Sequence, residues 1–284
     1  MGEVLSDAQS AEVDEIVIEA GRTEGQYWRD LWRFRELFYF LAWRDLLVRY
    51  KQTVMGVAWA FIRPFLTMVI FTLLFGKLAK LPSEGVPYAL LVYVGILPWQ
   101  LFANGISECS YSLIKNSSMI SKVYFPRLIA PFSGMLTSFV DFLISGVTLL
   151  ALLVWFRFVP DGRIIALPLF TLLALLASLG LGLWFAALNV KYRDFQHIVP
   201  FVVQIGVYIS PVGFTSGVIP EQWRLLYFLN PMVLVIDGFR WAVLGVGQPF
   251  PLPEAFVSLA VIAGALISGV WYFRRTERTF ADVI

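Results

Sequence analysis

The sequence predicts an all-α membrane protein with six transmembrane helices, an N-terminal amphipathic interface helix, and re-entrant half-helices between the fifth and sixth spans. Composition gives the first reason. The 284 residues are 58% hydrophobic and 15% charged, whereas about a quarter of the residues in a soluble domain are charged. Patterning gives the second reason, because the apolar residues form continuous runs, which indicate spanning helices rather than the alternating strands of a membrane barrel.

Residues 1–26 are acidic and predict a disordered or loosely attached cytoplasmic tail. Seven acidic side chains stand there against a single basic one, Arg22. A cleavable signal peptide begins with basic residues and continues with an apolar stretch, and this segment has neither.

Residues 27–55 predict an amphipathic helix that lies in the membrane interface. Apolar residues recur near helical spacing from Tyr27 to Val48, and charged residues fall largely between them. The segment carries too many charges to cross the hydrocarbon, but it suits the interface, where Arg and Lys meet headgroups and aromatic rings lie below.

Six apolar runs follow, each close to or above the length of about 20 residues that a spanning helix needs. Residues 56–284 therefore form one six-span domain. The runs cover 57–78, 88–106, 128–156, 164–188, 197–216 and 255–273. The third run is long enough to require tilt or additional protein cover.

The distribution of Lys and Arg predicts the orientation. With the N-terminus inside, sixteen of the 22 basic residues fall on the cytoplasmic side, and the remaining six, Arg240 among them, fall outside. Basic residues favour the cytoplasmic side of a membrane protein. We therefore expect a multi-pass membrane protein with both termini in the cytoplasm.

Two connecting segments depart from a simple pattern. In the segment 217–254, the apolar stretch 232–244 is too short to span and contains Asp237 and Arg240. It predicts two half-helices that enter the membrane from outside and turn back, which requires cover by protein or a water-filled path; an ordinary extracellular loop with a surface helix is the alternative. The polar segment 107–127 predicts a cytoplasmic loop whose short helix docks onto a partner.

Aromatic side chains supply the candidates for a transport path. Flat rings with a polar edge can stack on sugar rings and serve their hydroxyl groups, although contact with lipid or packing between helices explains the same residues. The candidates within or at the mouths of spans are Trp59, Tyr93, Trp99, Phe102 and Tyr208. Asp141, near the middle of the third span, either lines the path or holds helices together through a buried hydrogen bond.

Several kinds of chemistry have no support in the sequence. His197 is the only histidine and Cys109 the only cysteine, so we predict no metal site, and Cys109 serves as a small apolar residue. No phosphate-binding loop of the G-x-x-x-x-G-K-[ST] type is present. No basic block points to nucleic acid. We expect no cofactor on this chain and no nucleic-acid partner.

Five short segments resemble those of ABC type-2 polysaccharide export permeases, in the order typical of that family. They are 49–59 (RYKQTVMGVAW) followed by Pro64, 125–127 (FPR) with Pro131, 189–195 (NVKYRDF), 210–212 (SPV), and 229–232 (LNPM) with Arg240. The resemblance covers about residues 36–278 and leaves the acidic N-terminal extension outside the pattern.

The resemblance implies a location in the bacterial inner membrane and a homodimer of this chain with two copies of a separate ATPase that binds ATP and Mg. The chain itself is then a transport subunit and not an enzyme. The resemblance also implies a lipid-linked glycan as substrate, with O-antigen on undecaprenyl diphosphate nearest, and capsular polysaccharide or teichoic acid as alternatives. An exporter of a small drug or lipid is a rival. A membrane glycosyltransferase is another, but its acidic residues would converge on one face, whereas the external acids here are scattered.

Two sets of residues follow from this architecture. The interface helix 27–55 and the loop 107–127 together receive the ATPase, and the expected coupling residues are Ser118, Met119, Ile120, Ser121, Lys122, Val123 and Tyr124. Arg44, Arg49 and Lys51 lie where a carrier diphosphate would arrive at the inner leaflet. Attraction between phosphate and Arg is one explanation of these cations, and the general excess of basic residues on the cytoplasmic side is the other.

Overall fold

The structure, a computed structural model, describes residues 24–51, 57–247, 252–277 and 280, and the side chains from residue 27 onward. These ranges are largely helical. The acidic tail up to residue 23 lies outside the described residues, as do 52–56 of the first family-like segment. Helix α1 already begins at Glu24, inside the predicted tail.

Two helices, α1 (Glu24–Arg33) and α2 (Arg35–Lys51), stand where one helix over 27–55 is predicted. Leu41 and Ala42 of α2 are buried against the rest of the molecule, whereas the rings of Tyr39 and Trp43 stack on its open side at 6.4 Å between centroids. The exposed aromatic face is typical of a helix at a membrane interface. Its position in the membrane stays a prediction.

Helix α1 is attached to the far end of the chain. The hydroxyl of Tyr27 donates to Glu277 Oε2 at 3.1 Å, and the Arg274 guanidinium lies 3.4 Å from the centroid of the Tyr27 ring. Burial, with the nearby Glu277 carboxylate, raises the pKa of Tyr27, so the phenol stays protonated as a donor. The predicted interface helix is thus joined to the last helix of the membrane domain.

Five helices within the described residues are long and apolar enough to cross a membrane, and six if one bent pair counts as a single span. The five are α3 (Ala58–Phe71) continued by a π-helical segment (Thr72–Leu78), α4 (Tyr88–Lys115), α6 (Ile129–Trp155), α7 (Leu167–Lys191) preceded by a 3₁₀ turn (Gly162–Ala166), and α11 (Leu252–Thr276). The predicted spans match these elements closely except at their ends.

The predicted second span ends too early, because α4 continues from 106 to Lys115. The serines that make this stretch polar donate back into the helix, as Ser107 Oγ does to Ala103 O at 2.9 Å and Ser112 Oγ to Cys109 O at 2.7 Å. Such bonds satisfy a hydroxyl without ending the helix. The predicted loop 107–127 is therefore helical in its first half, and its short helix α5 covers only Ser117–Ile120.

The predicted fifth span, 197–216, is longer than the helix that the structure has in this region. Helix α8 runs from Phe195 to Ile209, and its 15 residues reach about 22 Å, less than the hydrocarbon thickness of about 30 Å. The helix ends because Ser210 precedes Pro211, and a residue before proline is disfavoured in the α conformation. Ser210 accordingly has an extended backbone with ψ 153°.

The segment between α8 and α11 contains two helices, α9 (Glu221–Tyr227) and α10 (Pro231–Leu244), which meet at 106°. The Asn230 side chain accepts from the backbone N–H of Met232 at 3.1 Å and so caps α10. At its other end Gly245 adopts a left-handed φ of +67°, which suits a glycine. Helix α10 is buried along most of its length, contrary to the alternative of a surface helix, and the bend fits the predicted pair of half-helices.

Helix α4 is the centre of the fold and packs against α6, α7 and α10. Helices α7 and α11 run side by side and parallel, and they approach closely at two glycines. A Cβ on Gly269 would come within 2.3 Å of the Gly180 carbonyl oxygen. Small residues at such a crossing let two membrane helices pack backbone against backbone.

Candidate functional site

A polar cleft of about 220 Å³ opens where α2, α3, α4 and α6 meet. Charged, amide and hydroxyl groups line it beside one indole ring. These side chains are Arg49, Tyr50, Arg63, Gln100, Asn104, Asp141, Ser145 and Trp59. Polar groups that converge beside a flat aromatic face can hydrogen-bond the hydroxyl groups of a ligand while the ring stacks on it.

An ion cluster forms the inner wall of the cleft. Arg49 Nη2 lies 2.9 Å from Asp141 Oδ2, and Arg49 Nη1 lies 3.1 Å from Glu108 Oε1. The Tyr50 hydroxyl donates to the other oxygen of Asp141. Burial and the adjacent carboxylate raise the pKa of Tyr50, so the phenol remains a donor.

Asp141 makes the helix-joining contacts of one predicted role, whereas its role in a transport path stays a prediction. It holds the end of α2 against α6 through Arg49 and Tyr50, and it also faces the polar cleft. A carboxylate in the interior of a membrane protein needs such partners, since an uncompensated charge there is costly.

The five aromatic candidates divide by exposure. Trp59 and Tyr208 are exposed, at 46% and 63%, whereas Tyr93, Trp99 and Phe102 are buried. The buried three contact protein. The Tyr93 hydroxyl donates to Ser145 O at 2.9 Å, and the Trp99 ring lies 5.5 Å from that of Phe102. Packing between the helices of one copy of the chain explains the burial of these three side chains.

The two exposed rings lie on different helices and face different surroundings. Trp59 borders the polar cleft, and the Arg63 guanidinium lies 5.8 Å from the centroid of its ring. Tyr208 lies on α8, 6.2 Å from the ring of Phe71 on α3. The structure thus brings Trp59 and Asp141 to one cleft and leaves Tyr208 outside it.

The three cations predicted for a carrier diphosphate differ in their contacts. Arg44 Nη2 lies 2.8 Å from Asp45 Oδ1 and donates to Asn116 Oδ1 at 2.7 Å. Arg49 binds Glu108 and Asp141, as described above. Lys51 is exposed at the end of α2. The diphosphate role stays a prediction for all three.

The predicted coupling segment projects from the end of α4. Ile120 is buried, whereas Ser118, Ser121, Lys122, Val123 and Tyr124 are exposed and Met119 is partly exposed. A shallow cleft of about 200 Å³ lies beside it, with Phe125 at its base. The segment therefore has one anchored apolar residue and an open face.

Helix α2 contacts the start of this segment directly. Arg44 donates to Asn116, and Lys115 Nζ lies 3.3 Å from Asp45 Oδ1. Asn116 Nδ2 in turn donates to Ser112 O at 2.8 Å, which fixes the side chain on α4. Polar contacts thus connect α2 to the residues directly before the segment 118–124.

Arg240 was counted above among the external basic residues, and it also belongs to the predicted re-entrant segment. In the structure it lies on α10 and is 2% exposed. Its guanidinium donates to the carbonyl oxygens of Phe214 at 2.7 Å, Val212 at 2.9 Å and Leu91 at 3.3 Å, and it lies 3.7 Å from Asp237. The carbonyls of Val212 and Phe214 belong to the irregular backbone after α8 and have no helical donors, so the Arg240 guanidinium donates to them instead.

The sequence indicated that Arg240 has a special environment. An ionisable residue inside a short apolar helix marks a buried partner or a functional position. A second polar cavity, of about 250 Å³, opens beside it and is bordered by Glu84, Arg224 and Asp237. No group of three His, Cys, Asp or Glu side chains arranged to hold a metal occurs among the described residues.

The sequence matches the family model described as ABC-2 type transporter over residues 36–244. The chain is similar to the O-antigen export system permease protein RfbA of Myxococcus xanthus, with 28% identity over 90% of this chain and 98% of that protein. It is 26% identical to the RfbA protein of Klebsiella pneumoniae over 85% of this chain and 92% of that one. The polysialic acid transport protein KpsM of Escherichia coli is 23% identical over 71% of this chain and 78% of that protein.

Proposed function

Because the chain belongs to the ABC-2 type transporter family, we propose that it is the permease subunit of an exporter that carries a lipid-linked polysaccharide across the bacterial inner membrane. The observation that carries the proposal is an alignment over nearly the full length of a relative named for O-antigen export. O-antigen on undecaprenyl diphosphate is the substrate we propose first. A capsular polysaccharide is second, because a relative named for polysialic acid transport aligns with most of the chain.

The transporter consists of two copies of this chain and two copies of a separate ATPase subunit that binds ATP and Mg. Two helices support the pairing of permeases. Helix α8 exposes Phe201, Ile205 and Tyr208, and α3 exposes Phe65 and further apolar residues. Apolar faces of this kind are covered either by lipid or by a second subunit, and in the proposed dimer they border the path between the two copies.

The exposed face of 118–124 and helix α2 form the contact with the ATPase on the cytoplasmic side. Approach of the two ATPase subunits pushes this segment, and the Arg44–Asn116 and Lys115–Asp45 contacts pass the displacement to α2. Helix α2 is in turn tied to α6 through Arg49 and Asp141. The switch is therefore a rigid-body movement of connected helices.

The polar cleft beside Trp59 is the entrance of the substrate path. Its amide and guanidinium groups suit sugar hydroxyls, and the ring of Trp59 provides a stacking face. Lys51, exposed at the end of α2, and the neighbouring Arg44 and Arg49 attract the carrier diphosphate. A sliding polymer requires contacts that are weak and repeated, which aromatic faces provide better than fixed ion pairs.

Deletion of the gene, followed by complementation with a plasmid copy, tests the proposal. We expect the surface polysaccharide to disappear while lipid-linked glycan accumulates at the inner membrane, and both to recover on complementation. Normal surface polysaccharide in the deletion strain would refute the proposal. Normal polysaccharide together with impaired efflux of a small hydrophobic compound would favour the rival exporter class.

Purification of the chain alone tests the division of labour. We expect no hydrolysis of ATP above the background of a mock preparation, and we expect the partner ATPase, purified with the chain, to hydrolyse ATP. Hydrolysis that copurifies with the isolated permease would contradict a separate ATPase without touching the substrate assignment.

A further inference from the structure

A groove with basic residues at its rim lies at the end of the α7–α11 pair. It shares no lining residue with the polar cleft or with the cleft beside the coupling segment. It has a volume of about 610 Å³. Its walls are mainly apolar and aromatic, with Trp184, Trp271 and Tyr272 as the largest side chains, and Lys191 and Arg275 lie at its edge. The basic residues thus stand where the hydrophobic parts of α7 and α11 end.

The packing of α7 against α11 fixes the floor of the groove. The two helices touch at Gly180 and Gly269, and one turn further the rings of Trp184 and Tyr272 stack at 4.2 Å between centroids. Trp184 Nε1 donates to Ser268 Oγ at 3.0 Å, which holds the indole in place. The floor is therefore preformed and rigid, which reduces the entropy that a ligand must overcome on binding.

The two cations at the rim carry charge that described carboxylates do not balance. Lys191 Nζ lies 5.2 Å from the ring of Tyr192, and the Arg275 guanidinium lies 5.3 Å from that of Trp271. Both side chains are exposed. The described residues that line the groove include no Asp or Glu. Aromatic contact orients the two cations and leaves their hydrogen-bond donors available for an anion.

The outer face of α11 continues the apolar surface away from the rim. Ile267 is 71% exposed and Trp271 is also exposed, both on the side that the hydrocarbon would cover. The groove thus combines an apolar surface for chains with a pair of cations at the level where headgroups lie. A basic recess between membrane helices on the cytoplasmic side is suited to anionic lipid headgroups.

We propose that this groove binds an anionic phospholipid, with its phosphate between Lys191 and Arg275 and its acyl chains along α11. Arg275 can donate two parallel hydrogen bonds to phosphate oxygens, and Lys191 contributes a compact charge. The site does not depend on the transported substrate, because the ligand is a component of the membrane itself. The apolar walls select a lipid over a soluble phosphate.

Native mass spectrometry of the full chain in a neutral detergent tests the proposal. The probes are phosphatidylglycerol, phosphatidylcholine with the same acyl chains, and soluble glycerol phosphate. Each basic residue near a membrane surface contributes about a fivefold gain in affinity for anionic lipid. We therefore expect phosphatidylglycerol to bind about 30-fold more tightly than phosphatidylcholine, and glycerol phosphate to leave the protein unloaded.

Three variants separate the groove from general charge attraction. K191Q/R275Q should lose the preference for phosphatidylglycerol, whereas R193Q, which removes a nearby exposed cation outside the groove, should keep it. The exchange K191R/R275K preserves both charges and should also keep it. An equal loss in R193Q, a loss in the exchange variant, or equal binding of the two lipids by the wild-type protein would each overturn the proposal. Thermal unfolding in the same detergent serves as the folding control for every variant.

Discussion

Replacing Arg240 with methionine should destabilise the fold severely. The change keeps most of the apolar stem but removes a guanidinium that donates to three backbone carbonyls and lies 3.7 Å from Asp237. The carbonyls of Leu91, Val212 and Phe214 would lose these bonds, and Leu91 and Val212 are fully buried. The partly buried Asp237 would also lose the cation that lies 3.7 Å away.

The size of the effect follows from these contacts. A buried polar group left without a partner costs about 1–3 kcal/mol, and breaking a buried ion pair from one side costs about 3–5 kcal/mol. These terms overlap, so we expect Arg240→Met to lower the free energy of unfolding by about 3–5 kcal/mol. Arg240→Lys keeps the charge but loses the planar set of donors, and should cost about half as much.

Denaturant unfolding of the purified chain in detergent measures the change. Arg224→Gln is the matched control, because Arg224 borders the same cavity as Arg240 but is more exposed and makes none of the three carbonyl bonds. It should cost less than about 1 kcal/mol. The reasoning is refuted if Arg240→Met unfolds at the wild-type denaturant concentration, or if Arg224→Gln is as damaging as Arg240→Met.

Three further substitutions test other parts of the structure. Gly95→Ala places a Cβ 2.8 Å from an Arg240 nitrogen and should cost about 1–3 kcal/mol of unfolding free energy, whereas Gly146→Ala meets nothing within 4 Å and should not destabilise. Trp59→Leu should reduce glycan export about fivefold at normal protein level, whereas Trp155→Leu, at an exposed helix end, should not. Val123→Glu should leave insertion and ATP hydrolysis intact but uncouple hydrolysis from export, because it puts a charge on the exposed apolar part of the coupling segment.

Each of these expectations has a result that contradicts it. Equal stability of the two glycine variants would mean that Arg240 can move without cost. Wild-type export in Trp59→Leu would assign that ring to packing and lipid contact. Val159→Glu, at an exposed position near the other end of α6, is the control for Val123→Glu, and an equal loss of coupling in both would remove the segment 118–124 from the mechanism.

The sequence determined the class of the fold and the approximate position of most helices. A spanning helix is defined by the length of an apolar run, which is a local property. The predicted spans accordingly match α3, α4, α6, α7 and α11 within a few residues at most ends. The bent pair α9–α10 was also predictable, because Pro231 and the brevity of 232–244 both rule out a continuous span.

The end of α4 and the roles of single side chains could not be predicted from composition. The extension of α4 to Lys115 uses serine hydroxyls that bond within the helix, so a polar composition did not end it. Exposure separated Trp59 and Tyr208 from the buried rings of Tyr93 and Trp99. Aromatic residues have the same composition signal in both settings, and only the packing of neighbouring helices distinguishes them.

The partners of the interior charged groups were decided by the tertiary structure alone. Arg240 donates to carbonyl oxygens that lie 26, 28 and 149 positions away in the chain. Asp141 accepts a hydrogen bond from the hydroxyl of Tyr50, which lies 91 positions away. The sequence indicates that each of these groups needs a partner, because an unpaired charge in an apolar interior is costly. Which partner it finds depends on which backbone segments the packing of α4, α6 and α10 brings together, and no local pattern encodes that distance.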